Sequence, residues 1–196
     1  MMKELPRIDL TSATPGSEAE RRAAFEIDQA CKQVGFFTLS GHGIAPSVFE
    51  DAYGLSRAFF RLPLEAKNQC RLKSGFTMAA DDYTPYGYSG MLEENAFAYM
   101  GRKGLPSDYV EKFSVGRLIE DDSARLPFSE DTEGQRLRAA LKAYFRECEA
   151  LTARLTELFS IALDLPRDFF AKKTSASTDS LRSLLYPRLN PELVND

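Results

Sequence analysis

One histidine, His42, sets the limits of what this chain can catalyse. Many metal sites need a histidine and several need two or three, and one polypeptide carrying one histidine cannot assemble a two-histidine-one-carboxylate iron site. His42 stands between Gly41 and Gly43, where its expected role is to bond backbone inside a tight turn. Cys31, Cys70 and Cys148 lie far apart with no CxxC pair, which excludes a zinc knuckle and a thioredoxin-like motif. Cys31 and Cys148 fall on apolar helical stripes and read as small buried hydrophobes. Tyr83, Tyr86, Tyr88 and Tyr99 alternate with glycine and proline in a weakly patterned stretch from Ser74 to about Phe128. Binding loops and a few short strands are expected there. Glu93, Glu94 and Asn95 cluster within it, and a solvated turn explains them as well as a ligand contact does. The run Glu120-Asp121-Asp122 reads as a solvated loop.

The elements that position these residues follow from periodicity and punctuation. Leu5 to Leu10 reads as a short strand behind Pro6, with Ile8 and Leu10 on one face. Ser17 is an N-cap, and Glu20 three residues later completes a capping-box pattern. The helix it opens runs to about Val34 on the stripe Ala23, Ile27, Ala30, Cys31 and Val34, and Gly35 stops it. Phe36 to Ser40 is aromatic and β-rich, hence a strand. A second helix starts near Pro46 with Val48, Ala52, Leu55 and Phe59 on its buried stripe, and a short third spans about Leu62 to Lys67. The strongest signal is Leu137, Leu141, Tyr144, Cys148, Leu151, Leu155, Leu158 and Ala162, which predicts a long helix from about Gly134 to Leu163. Leu165-Pro166 ends it. Pro166 to Lys172 can form one more short helix, and Leu181 to Tyr186 is a β-like segment stopped by Pro187.

Composition narrows the function classes. The chain has 196 residues, 43% hydrophobic and 28% charged, ordinary values for one globular domain or one plus part of another. With 25 basic and 29 acidic residues the net charge is −4, and without a basic run this disfavours nucleic acid and anionic membrane as partners. No apolar stretch is long enough to span a bilayer. The start, Met1 to Pro6, lacks the apolar core of a signal peptide, so the cytosol is the expected location.

Taken in order, the motifs resemble the isopenicillin-N-synthase-like family of Fe(II)- and 2-oxoglutarate-dependent oxygenases. A proline-led strand with Ile8-Asp9 is followed by a helix into Val34-Gly-Phe-Phe and then His42-Gly-Ile. Phe59-Phe-Arg-Leu-Pro63 with Glu65-Ala-Lys67, Gly87-Tyr88 and Glu111-Lys-Phe-Ser-Val-Gly116 come next. Leu163-Asp-Leu-Pro166 with Phe169-Phe170, and Arg182 with Tyr186-Pro187, complete the match. No single piece is specific, but together they run in register over nearly the whole chain.

The resemblance implies an α+β fold. A helical and strand region, residues 1–130, would be the N-terminal domain of such an oxygenase. Residues 131–196 would supply a long central helix and the first strand of an incomplete double-stranded β-helix (jelly roll). In these enzymes the barrel binds iron through a His-x-Asp pair and a distant second histidine, and an Arg-x-Ser holds the far carboxylate of 2-oxoglutarate. All of these lie beyond the Tyr-Pro strand. Here nine residues follow Pro187 and none of those motifs is among them. Fe(II) and 2-oxoglutarate are therefore implied for a full-length enzyme acting on a small-molecule substrate, and neither is expected on this chain alone. Homo-oligomerisation does not complete the site, since each copy brings only His42. Tyr186 matches a position whose hydroxyl points at 2-oxoglutarate or a substrate carboxylate, and Arg182 lies four residues earlier on the same strand face. The alternative is that Tyr186 packs in a sheet and Arg182 is solvated. Tyr83, Tyr86 and Tyr88 are the candidates for a substrate mouth. The expectation for the isolated chain is weak stability, with apolar surface exposed where the barrel would close. A non-catalytic binding or interaction module derived from the family is the competing reading.

Overall fold

The computed structural model describes residues 4–71, 86–93, 101, 106–174 and 179–188. Tyr83, Glu94, Asn95 and Tyr99 lie outside them. The chain divides into two compact units, one formed by residues 1–46 and 144–177 and the other by residues 47–143 and 178–196.

In the first unit, β1 (Arg7–Asp9) pairs in parallel with β2 (Thr38–Ser40), Ile8 standing opposite Leu39. Parallel strands need a crossover, and α1 (Glu18–Gln33) supplies it. Glu20 N–H donates to Ser17 Oγ at 3.0 Å, the predicted cap. The return half of the box reaches one residue further back, to Gly16 N–H at 2.8 Å. β2 is shorter than the aromatic run suggested, because β1 offers only three residues to pair with and Phe36 is left 74% exposed. The core gathers Ile8 and Leu10 from β1 and its exit, Ala23, Ala24, Ile27 and Ala30 from α1, and Leu158 from the long helix α4 (Thr132–Ala162). Truncating a fully buried leucine such as Leu158 to alanine costs about 2–5 kcal/mol. Cys31 is a correction: it is exposed. The last turn of α1 reaches past the packed layer, and only Ala30 stays covered there. Cys148 is half-buried. Arg154 of α4 donates to the carbonyls of Leu10 at 2.6 Å and Ala13 at 3.0 Å, tying down the loop after β1.

Helix α4 ends in a left-handed cap rather than simply at the proline. Asp164 has φ of 54°, Leu165 N–H donates to Ser160 O, and Asp164 N–H to Ile161 O, a Schellman arrangement in which aspartate takes the place usual for glycine. The short helix after it, α5 (Ala171–Thr174), starts later than the Pro166-to-Lys172 span expected and ends two residues beyond it.

In the second unit, α2 (Pro46–Phe60, here from Ser47) and α3 (Leu64–Gln69) accompany a three-stranded antiparallel sheet. Its order is β3 (Gly87–Ser89), β4 (Glu111–Gly116), β5 (Ser180–Leu185). Phe59 of α2 packs edge-on against Phe113 of β4, ring centres 4.8 Å apart, and against Tyr88 of β3 at 5.9 Å. Ser56 of α2 hydrogen-bonds Ser183 of β5 at 3.0 Å. A one-turn 3-10 helix, Arg117–Glu120, follows β4. The acidic run that begins at its last residue is exposed at Asp121 and Asp122, as expected, and α4 also ties it down: Lys142 pairs with Asp122 at 2.6 Å, and Arg138 donates to Asp121 O at 2.9 Å. Gly87 has φ of 88°, and a Cβ there would collide with the Cys70 carbonyl and the Pro127 ring. Glycine is thus required where β3 begins.

Candidate functional site

The sheet of the second unit presents two chemically different faces, and the alternation of β4 produces them. In Glu111-Lys-Phe-Ser-Val-Gly, every second residue shares a face. Tyr88 stands opposite Phe113, and Ser183 opposite Phe113 on the other side, so Tyr88, Glu111, Phe113, Val115 and Ser183 form the face covered by α2 and α3.

A buried charged cluster anchors that covered face. Lys67 of α3 pairs with Glu111 at 2.5 Å, and the Tyr88 hydroxyl donates to the same carboxylate oxygen at 2.9 Å. Burial first, then the bond to the Glu111 carboxylate, push the Tyr88 phenol well above its ordinary value, so it stays protonated and donating. Arg71 lies over the Tyr88 ring at 5.2 Å and makes a two-pronged pair with Glu93 at 2.6 and 2.7 Å. The Arg71 bonds, against some desolvation, hold the Glu93 carboxyl below its usual range. Glu93 also accepts from Gly90 N–H at 2.9 Å, so it fixes the turn after β3. Tyr86 is buried too, its hydroxyl accepting from Leu118 N–H at 3.0 Å. Both described tyrosines of the expected substrate mouth are therefore buried, with hydroxyls engaged by the protein, and Tyr88 lies across the sheet from Arg182.

The opposite face carries Lys112 and Ser114 of β4 and Arg182 and Leu184 of β5, with Ser114 directly opposite Arg182 and Lys112 directly opposite Leu184. Arg182, Leu184 and Tyr186 alternate as exposed residues along β5 and its exit, while Leu181, Ser183 and Leu185 are half-buried. Tyr186 is 70% exposed. Arg182 and Tyr186 thus share one face, as their four-residue spacing predicted. Ser114 was not singled out by the sequence reading. Its side chain is fully buried and, among the described residues, its hydroxyl has no hydrogen-bond partner, which is uncommon for a buried polar atom. Lys112 is buried beside it in the register. The signal was the alternation in Glu111 to Gly116 combined with antiparallel pairing to β5, which only the register makes visible. A guanidinium and a hydroxyl on one face suit a carboxylate ligand, since arginine matches a carboxylate with two parallel N–H donors.

His42 makes the turn expected of it: Gly41 and Gly43 have φ of 61° and 91°, and Ile44 N–H donates to His42 Nδ1 at 3.2 Å. Among the described residues, no three His, Cys, Asp or Glu side chains converge as metal ligands would. No helix among them is long and apolar enough to cross a membrane.

Comparison with known proteins places this architecture. The family described as non-haem dioxygenase in morphine synthesis N-terminal matches residues 5–141. Gibberellin 20 oxidase 1 of Arabidopsis thaliana is 28% identical over 199 residues, covering 97% of this chain and 48% of its own length. The 2-oxoglutarate-Fe(II) type oxidoreductase ppzC of Metarhizium majus is 28% identical over 208 residues, covering 95% and 52%. The chain thus spans about half the length of the curated relatives it matches. A full-length Neurospora crassa protein, solved in complex with alpha-KG, shares the fold with a TM-score of 0.74 at 24% identity, covering 97% of this chain and 57% of that one. A putative 2OG-Fe(II) oxygenase family protein from Caulobacter crescentus aligns with a TM-score of 0.69 at 20% identity, covering 96% and 58%. The mixed helix and strand architecture, the ordered motifs and the family match agree: this chain belongs to the non-haem dioxygenase N-terminal family, and its relatives include a gibberellin oxidase and a 2-oxoglutarate-Fe(II) type oxidoreductase.

Proposed function

We propose that this chain is the N-terminal part of a 2-oxoglutarate- and Fe(II)-dependent oxygenase acting on a small molecule. Residues 1–130 form its N-terminal domain, and residues 131–196 supply the long helix and the first strand of a double-stranded β-helix. The parent enzyme would convert 2-oxoglutarate to succinate while oxidising its substrate. The observation that carries this reading is β5. It lies at the edge of its sheet, with Leu184 48% and Tyr186 70% exposed on the face that also bears Arg182. A strand edge with exposed apolar residues suits a strand that pairs and packs further.

Iron does not fit the donors of this chain. Ferrous sites of this class need two imidazoles and a carboxylate. The chain has one histidine, and its Nδ1 already accepts from Ile44 N–H. In the parent enzyme the metal ligands would come from residues beyond these 196. For 2-oxoglutarate the fit is better: Arg182 offers a carboxylate fork and Tyr186 an exposed hydroxyl, with the buried Ser114 hydroxyl, unpartnered among the described residues, opposite Arg182.

The second reading is a non-catalytic binding module derived from the family. It is favoured by the second unit having its own aromatic core and a fully partnered Lys67–Glu111–Tyr88 cluster. Reading the transcript past the codon for Asp196 separates the two. An open frame running into a His-x-Asp, a later histidine and an Arg-x-Ser supports the oxygenase. A genuine stop codon there defeats that reading and leaves the module.

A further inference from the structure

Behind the covered face of the sheet lies a cavity of about 240 Å³ that no part of the oxygenase reading uses. Its walls come from α2, α3, β4 and the start of α4, and Phe59, Phe113, Phe128 and Leu137 make them apolar. The Cys70 thiol lines it as well, and burial raises that thiol above its ordinary value, so it is a neutral, unreactive wall. Phe113 and Ser114 are neighbours on β4 and point to opposite faces. The cavity is therefore separate from the face that bears Ser114 and Arg182.

Its polar rim has one sign of charge. Asp131 and Glu133 line it, and no lysine, arginine or histidine does among the described residues. Glu133 is already paired with Arg136 at 3.0 Å. Asp131 caps α4, its carboxylate accepting Gly134 N–H at 2.8 Å and further bonds from Ser129 and the Glu133 backbone. Those bonds, Gly134 first, hold its carboxyl below the usual range, so Asp131 is ionised at neutral pH. An apolar chamber with a carboxylate at its mouth rejects an organic acid and accepts an amine. An apolar cavity of roughly 150 Å³ is enough for a benzene ring, so this one holds a single ring with a short tail.

We infer that this cavity is a binding site for a small primary amine carried on one aromatic ring, with the ring among Phe59, Phe113 and Phe128 and the ammonium at Asp131. The site requires neither iron nor 2-oxoglutarate, so it stands or falls independently of the oxygenase reading.

The test is titration of the full chain with 2-phenylethylamine, 2-phenylethanol and 3-phenylpropionate, read by protein NMR shifts and by melting temperature. The amine is expected to bind saturably and to raise the melting temperature, with the alcohol weaker by about tenfold and the acid not binding. Ala66→Leu fills the chamber and should abolish amine binding while leaving the fold intact. Asp131→Asn keeps a good helix cap and should make amine and alcohol bind alike. Absence of saturable amine binding overturns the inference. Equal binding of the three compounds to the unmodified chain, or an Asp131→Asn variant that still prefers the amine, overturns it equally.

Discussion

Ser114 and Arg182 stand directly opposite one another across β4 and β5, a buried hydroxyl without a partner among the described residues beside an exposed guanidinium. A buried hydroxyl that makes no bond contributes only its desolvation cost, about 1–3 kcal/mol. Ser114→Ala should therefore leave this chain as stable as before or raise its stability by about 1 kcal/mol. Urea unfolding measures this, and a loss of that size would mean the hydroxyl is bonded. In the extended enzyme, Arg182→Ala should raise the KM for 2-oxoglutarate with little change in melting temperature, because Arg182 is exposed on its strand.

The Lys67–Glu111 pair gives the opposite result. Both side chains are largely buried, 7% and 12% exposed, and Tyr88 shares the carboxylate. Removing one partner strands the other charge, so Glu111→Leu or Lys67→Met alone should cost about 3–5 kcal/mol. The double replacement should recover most of that loss. Tyr88→Phe removes only the hydroxyl and should cost about 1.5–3 kcal/mol, as expected for a bond to a charged group. A chemical-denaturation cycle over these variants checks all three values.

Acid should loosen the first unit through Glu20. Burial opposes its charge, but bonds from Arg167 at 2.5 Å and Gly16 at 2.8 Å prevail and hold its carboxyl below the ordinary 4.5. A depressed carboxyl contributes stability that is complete above its unfolded value and is lost as pH falls through the lower folded one. The melting temperature should accordingly fall below about pH 4.5. Glu20→Gln should be less stable at pH 7 and show a flatter acid limb; an unchanged acid limb would contradict this role.

Asp164 holds its left-handed cap under strain. An L-residue in that conformation costs about 1–2 kcal/mol, less for aspartate, whose short polar side chain tolerates it. Asp164→Gly should therefore stabilise the chain by about 0.5–1 kcal/mol. A drop in melting temperature would show that the Asp164 side chain contributes a bond the cap needs.

Long-range periodicity made α4 legible, because eight apolar positions stepping by three and four leave one helical solution; the observed Thr132–Ala162 differs from the expected span by two residues at the start and one at the end. Ser17, Pro46 and the glycines around His42 were legible for a local reason, since caps and left-handed turns are written in single residue types. Burial at helix ends was not. Cys31 sits on the right stripe but beyond the packed layer, a fact of tertiary placement. The pairing of Ser114 with Arg182 was hidden for the same reason, because the two lie far apart in sequence and only the register of β4 on β5 joins them. Tyr88 misled because an aromatic among glycines looks like a loop residue. Gly87, which must be glycine to clear Cys70 and Pro127, in fact starts a buried strand.

The most direct test of the oxygenase reading is iron-dependent conversion of 2-oxoglutarate to succinate, measured on this 196-residue chain and on the chain extended by the residues that the proposed full-length enzyme would carry after Asp196. The extended protein should form succinate with ferrous iron, and the chain alone should form none. Succinate from the chain alone, or none from the extended protein with its full ligand set, would contradict the account.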